Sequence, residues 1–398
     1  MKNYCTAIAL IVAVFLLSCS KGAGEGTTEE QQETLVPVAL TLPGVYFTEP
    51  AKVAAGQSSY TIIDKLIQLV KATPAKDSIH LCIYLMDYPA LEDELVKAHQ
   101  RGVVVKIILD KSREESIQMN SMLIPRLSSR LSAPSEVVAT VSDAGSTAIN
   151  HNKFMLVSSA VTSNGKRNNI VFQTSHNWNI SETKKMQDAL VFSNEGVYHA
   201  FRNYWSQLKQ RATAGMSQFW YEEFQDEGAG ITAFFLPKRR NGSAYGDDTI
   251  IEILNKITTP ATATIRIGMS DWVKSRINVA EKLLDLRKKG AKVELVVKSS
   301  IDIEVQQVLK ELVNAGGSVK MYNMTQPGQK VNIHAKFMLI EGSWSGASAK
   351  VLVTGSHNFT TNALRNNNEI LLQWVNAPLY DSYIQYFNEL KTIPGINF

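Results

Sequence analysis

Two short strings in this sequence carry the residue types that phosphoryl chemistry uses. His151-Asn152-Lys153 and His334-Ala335-Lys336 each place an imidazole and an ammonium two residues apart at the start of an apolar run. Residues i and i+2 of a strand face the same side, so each pair projects into one pocket. Downstream, Ser175-His176-Asn177 and Ser356-His357-Asn358 repeat the device with two neutral hydrogen-bonding groups. His176 and His357 are left for the opposite face, as structural residues. Two imidazoles can divide a displacement, one attacking while the other protonates the leaving group. Two lysines with Ser175, Asn177, Ser356 and Asn358 can surround a substrate anion that bears several oxygens. An imidazole with a pKa of about 6.5 is available unprotonated at neutral pH. Phosphodiester transfer fits this set, with the lysines in place of a metal and without a cofactor. Asp188 lies eleven residues after Asn177, and Glu369 eleven after Asn358. The equal spacing predicts two acids behind the site that hydrogen-bond the histidines and fix their tautomers. Which histidine each acid meets stays open at this level.

These strings are landmarks in a longer internal repeat. Thr61-Ile62-Ile63 and Thr249-Ile250-Ile251 open helix-like stretches. Two apolar strands end in Met86-Asp87-Tyr88 and Ser270-Asp271-Trp272, and Arg101 to Leu109 matches Lys289 to Val297. Landmarks that recur in one order describe a duplicated domain rather than a solenoid. In each copy a helical face (Leu91, Leu95, Val96, Ala98; then 279–286) is stopped by Gly102 or Gly290 and followed by a buried strand. The pattern predicts an α/β fold: two similar α/β/α sandwich lobes, with mixed or largely parallel sheets, packed face to face with the site at their interface. The lobes are expected at 41–225 and 226–398. The seam falls where Gly228-Ala229-Gly230 and Lys238-Arg239-Arg240-Asn241-Gly242 break the pattern.

His-x-Lys followed by Ser-x-Asn, present twice, resembles the phospholipase D superfamily from about Tyr46 to the C-terminus. The resemblance implies a bilobal α/β/α sandwich with both motifs at one central site, and a covalent phosphohistidine intermediate. It makes His151 the nucleophile and His334 the proton donor, with the roles open to exchange. Two departures stand out. The family's usual Asp five residues after the lysine is Ser158 in one copy and Glu341 in the other. The glycine before the first Ser is Thr174, which is expected to narrow the approach of a phosphate.

The rest of the sequence bounds class and compartment. The chain has 398 residues, 44% hydrophobic and 20% charged, which is globular rather than disordered or a membrane bundle. A net charge of +4 permits an anionic partner without demanding one. Three cysteines, Cys5, Cys19 and Cys82, exclude a disulfide framework and a Cys-rich zinc site. Lys2, the apolar run Ala7 to Leu17, and Ser18-Cys19 describe an export signal. As a helix the run would rise about 16 Å, too little for a bilayer of about 30 Å. Leu16-Leu17-Ser18-Cys19 resembles the bacterial lipobox, which implies lipidation at Cys19. Residues 1–18 are then a lipoprotein signal peptide and 19–40 a flexible tether, rich in Gly, Ser, Thr, Glu and Gln. The mature chain would be anchored in the cell envelope, and Ser20 after the cysteine favours the outer membrane by the same resemblance. Cys82, inside an apolar run, reads as a small core residue. Trp220, Tyr221 and Phe224 read as packing between the lobes, Lys238-Arg239-Arg240 as a solvated loop, and Asn366-Asn367-Asn368 as the mouth of the site or an ordinary loop.

Three functions are compatible with these residues. The first is a lipid-anchored phosphodiesterase acting on a glycerophospholipid, with water or an alcohol as acceptor. The second is an extracytoplasmic nuclease with the same chemistry, and the third a non-catalytic lipoprotein that binds phosphate-bearing ligands. A chain that holds both half-sites needs no partner to complete the centre, so a monomer is expected.

Overall fold

The computed structural model describes residues 35, 37–143, 145–212, 219–324 and 330–398. The leader, Cys19 and the tether as far as residue 34 lie outside the described residues. At the far end of the expected tether, packing has already begun. Val38 and Leu40 are buried, and Val38 bridges to Thr162, because the short run Val38-Ala39-Leu40 has apolar surface to bury against the first lobe.

The apolar runs form two sheets of the same order. The first runs Gly44–Phe47, Asp188–Ser193, Gly165–Thr174, Lys153–Thr162, Ser78–Ile83, Val104–Asp110, Glu136–Thr140. The second runs Ile231–Leu236, Glu369–Val375, Ala347–Gly355, Lys336–Trp344, Ile257–Met269, Lys292–Lys298, Ser318–Tyr322, with Glu222–Asp226 and Ile396–Asn397 added at its edges. Both sheets are mixed rather than largely parallel. Within these two sheets parallel strand pairing is confined to the three strands joined by crossover helices in each lobe. The strands that begin with Lys153 and Lys336 instead turn straight back. Ser345 and Gly346 make one of those turns with φ of 51° and 85°, the left-handed pair that matches strand twist in a two-residue hairpin.

Helices cover both faces of each sheet. The expected helices appear as Pro89–Gln100 and Ile277–Lys288, and Gly102 and Gly290 follow them at φ +91° and +100°, where a Cβ would be strained. On the outer face of the first lobe, Ile62, Leu66 and Leu95 pack on Leu81, Ile107 and Met155. Leu254, Leu283 and Leu309 do the same for Ile267, Leu295 and Met338 in the second. The inner helices belong to both lobes. Glu195–Arg211 sets Phe201 and Tyr204 against Phe154 and Leu190 of the first sheet and against Phe235 and Ile370 of the second. Tyr380–Thr392 sets Tyr383 and Phe387 against Phe337 and Leu339 of its own sheet and against Val53 and Met186 of the first lobe.

The seam differs in detail from expectation. The strand Glu222–Asp226 pairs with Ile231–Leu236 in the second sheet, so a boundary at 225/226 cuts a hairpin. Of Lys238-Arg239-Arg240 only Arg240 is exposed: Lys238 is buried with Nζ 2.5 Å from Glu252, and Arg239 Nε donates to the Arg365 carbonyl at 2.6 Å. Tyr221 and Phe224 pack against the cores of the second lobe and the interface, while Trp220 is exposed. Cys82 is buried, its thiol pushed up to about 12 by burial, and it contacts Asn150. No helix among the described residues is long and apolar enough to cross a membrane.

Candidate active site

The motif lysines open strands, and the histidines lie two residues before them. Strand geometry puts each Nζ within reach of its own motif's backbone: Lys153 donates to the His151 carbonyl at 2.9 Å and Lys336 to the His334 carbonyl at 2.6 Å. Both lysines are fully buried. Among the described residues neither forms an ion pair with a carboxylate. Burial is the main reason that Lys153 falls to about 8 and Lys336 well below the ordinary lysine value.

Each motif is laid against the other lobe. The His151 amide donates to the Asn368 carbonyl at 2.9 Å, and the His334 amide to the Met186 carbonyl at 2.8 Å. Asn150 bridges Asn368, and Ile333 bridges Met186, both in parallel sense. The residue after each carbonyl then meets an imidazole. His151 Nδ1 lies 2.9 and 2.8 Å from the two Glu369 oxygens. His334 Nδ1 lies 2.9 Å from Gln187 Oε1 and 3.2 Å from Glu182 Oε2. Burial lowers both histidines. Glu369 opposes the effect on His151, whereas Lys336, Lys185, Lys298 and Lys153 add to it on His334, which lies well below its ordinary value. The lysine of each lobe thus acts on the histidine of the other, and the four motif residues share one buried centre.

Glu369 stands behind a histidine as its spacing suggested; Asp188 does not. Asp188 Oδ2 accepts from Thr354 Oγ1 at 2.6 Å and from the Tyr383 hydroxyl at 2.9 Å. The cause is a one-residue slip between the copies. Ser175 N bonds to the Asp188 carbonyl, and Ser356 N to the Ile370 carbonyl, so Asp188 sits where Ile370 does and Gln187 where Glu369 does. A 3-10 helix, Ile180–Lys184, precedes the strand in the first lobe, and a π-helix, Asn362–Asn366, in the second. Their different winding makes equal counting misleading. Glu182 on the 3-10 helix supplies the nearby carboxylate instead, bonded to Lys185 at 2.6 Å and to Gln187 Nε2 at 2.7 Å. No sequence signal marked Gln187, Glu182 or Lys185.

The serines tie strand ends together. Ser175 Oγ bonds the Asp188 backbone, and Ser356 Oγ donates to Glu369 at 2.6 Å while accepting from Ile370 N. Both are fully buried, and these bonds engage their hydroxyls. Asn177 Nδ2 lies 3.3 Å from Glu182, and Asn358 Oδ1 accepts from Asp271 N at 3.4 Å. His176 and His357 are buried and held at about 4, so both are neutral. Asn367 Nδ2 donates to Glu369 at 3.1 Å, so the asparagine run helps to hold His151.

Asp87 and Asp271 are not counterparts. Trp178 N bonds to the Leu85 carbonyl and Phe359 N to the Asp271 carbonyl, which matches Asp271 with Leu85 and Ser270 with Tyr84. The two sides of the centre therefore differ. The Tyr84 ring meets His151 edge-on at 5.3 Å and lies 5.6 Å from Lys153 Nζ; on the other side Lys298 pairs with Asp271 at 3.1 Å. Ser158 bonds Asp77 at 2.7 Å and the Ser78 amide, so Asp77 brings a carboxylate close to the family's Asp position. Glu341 is exposed. Thr174 Oγ1 donates to the Asp188 carbonyl and accepts from the His176 amide.

A family model described as cardiolipin synthase, PLD-like domain matches residues 66–211 and 253–391. No curated protein matches significantly. Among solved structures, phosphatidylserine synthase of Haemophilus influenzae Rd KW20 aligns with a TM-score of 0.60 and 9% identity, over 90% of this chain and 88% of that one. Polyphosphate kinase of Porphyromonas gingivalis aligns with a TM-score of 0.54 and 14% identity, over 89% of this chain. The chain spans about half of that kinase, 54% of its length. Nuc of Salmonella typhimurium, a phospholipase D family member, aligns with a TM-score of 0.32 and 20% identity, over 42% of this chain and 97% of that one. With one match in each lobe, covering most of the sequence, the chain belongs to the phospholipase D superfamily.

Proposed function

We propose that the chain is an exported, lipid-anchored phosphodiesterase that cleaves a glycerophospholipid through a covalent phosphohistidine, with water or an alcohol as acceptor. The observation that carries this reading is the pair of buried lysines that form no ion pair with a carboxylate among the described residues, each two residues from a histidine held by the opposite lobe. Buried cations without an ion-pair partner are costly, and a phosphodiester offsets them with two nonbridging oxygens. In the transition state, where charge grows on those oxygens, the same lysines stabilise most. One imidazole attacks phosphorus and the other protonates the leaving alcohol. The choice of a lipid is supported by the lipobox-like Leu16 to Cys19, which would hold the body beside head groups, and by the likeness in fold to a phosphatidylserine synthase.

The test is a panel on the full chain in detergent, with EDTA present. Fluorescent phosphatidylcholine and single-stranded DNA are offered to wild type, His151→Ala and His334→Ala. Lipid turnover is expected, with a loss of about 10³-fold or more in each variant. Turnover of DNA alone would replace the lipid reading by the nuclease. No turnover of either substrate would favour a non-catalytic binding protein.

A further inference from the structure

The two histidines are held by unlike partners, and the difference allocates their roles. Gln187 Nε2 points at two groups that can only accept, the Glu182 carbonyl at 2.9 Å and Glu182 Oε2 at 2.7 Å. Its NH₂ must therefore lie on that side and its Oε1 must face His334, so His334 has to donate from Nδ1. The neutral ring then keeps its lone pair on Nε2. Glu182 Oε2 also faces this Nδ1, but its carboxylate is already bound by Lys185 Nζ at 2.6 Å. His151 instead faces a buried carboxylate through both oxygens. The other contacts of Glu369, Ser356 and Asn367, are neutral. Burial disfavours a proton on both rings, but the carboxylate opposes this at His151, so a proton is held more readily at His151 than at His334.

Resting on the phosphodiesterase reading above, we propose that His334 is the nucleophile and His151 the proton donor, the reverse of the allocation that the family resemblance implies, with Glu369, Gln187 and Glu182 as positioning residues. The remaining charges agree. Around His334 stand Lys336, Lys185, Lys298 and Lys153, which disfavour a proton there; around His151, Glu369 opposes Lys153 and Lys336, with the Tyr84 ring on its edge. In the first step the Nε2 lone pair of His334 forms the P–N bond as the P–O bond to the leaving oxygen breaks. That oxygen keeps the bonding pair and takes the Nε2 proton of His151. The positive charge on the phosphorylated ring is met at Nδ1 by Gln187 and Glu182. Neutral His151 then removes a proton from water, whose oxygen attacks phosphorus, and the P–N pair returns to His334.

The full chain is mixed with bis(p-nitrophenyl) phosphate, quenched in alkali, and its phosphorylated peptide located by mass spectrometry. p-Nitrophenolate leaves without a proton, so the donor is dispensable in the first step while the nucleophile is not. Wild type is expected to carry the label on His334 Nε2. His151→Ala should release about one p-nitrophenolate per chain and then stall as the adduct, and His334→Ala should release none. Gln187→Glu sets a second carboxylate on His334 and should move the acid limb of kcat/KM up by about 1–3 pH units; packing alone would not move it. A label on His151, a burst confined to His334→Ala, or an unmoved acid limb overturns the allocation and leaves the phosphodiesterase reading standing. Wild type that releases nothing and carries no label overturns both.

Discussion

Lys153 and Lys336 show how a residue legible in the sequence acquires its character from burial. The His-x-Lys spacing marked both, and strand periodicity correctly put imidazole and ammonium together. That neither forms an ion pair with a carboxylate among the described residues is a tertiary fact, and their burial has a thermodynamic consequence. A lysine disfavoured as a cation by folding binds its proton more tightly in the unfolded chain. Its penalty is therefore fully present below the folded value and fades as pH rises towards the unfolded one. For Lys153 that window runs from about 8 to about 10.4. Without anions, Lys153→Met is expected to be as stable as wild type or more so at pH 7, and to lack the gain in stability across this window. Tungstate, a phosphate mimic, should stabilise wild type by about 2.7 kcal/mol at a hundredfold excess over its Kd, and the variant far less. Urea titrations from pH 7 to 10.5, with and without tungstate, measure both. A variant that keeps the full anion response would show that Lys153 does not face the ligand.

Among the elements, the turn between each Ser-x-Asn string and the following strand decides what stands behind each histidine. Helix and strand patterns were readable because burial imposes periods of 3.6 and 2, and the repeated glycines after helices had a local reason. The step from a 3-10 helix at Ile180–Lys184 to a π-helix at Asn362–Asn366 has no such pattern, so counting residues assigned Asp188 a role that Gln187 and Glu182 fill. Thr174 and Gly355 show the same local asymmetry. A Cβ at Gly355 would collide with the Ile370 carbonyl and sit 2.9 Å from His357 Nδ1, whereas Thr174 has room and uses its hydroxyl. Gly355→Ala is thus expected to push Ile370 and the adjacent Glu369 away from His151, lowering kcat by about 10–100-fold and reducing Tm. Thr174→Ser, which keeps the hydroxyl, should change neither appreciably. Steady-state kinetics and a thermal melt test the pair, and an active Gly355→Ala would show that the strand end yields freely.

For the whole molecule, the two lobes share their inner cores and exchange the partners of their histidines. Phe201 on the helix Glu195–Arg211 meets Phe154 of the first sheet and Phe235 of the second, each at 5.3 Å. Calorimetry is expected to show one transition, without a separately melting lobe. Phe201→Ala should lower that same transition, by about 3–5 kcal/mol in stability. Two resolved endotherms would mean that the shared helices do not couple the lobes. The sequence by itself determined the duplication, the α/β/α class, the His-x-Lys pairs and the helix stops, because each is written in local spacing or in repetition along the chain. Only the tertiary structure decided that Glu369 reaches His151 across the interface, that Gln187 and Glu182 meet His334, and that the serines face inward. The histidine contacts join residues some 150 to 220 positions apart, and all of these contacts depend on how two turns wind and how two sheets meet, which no local period records.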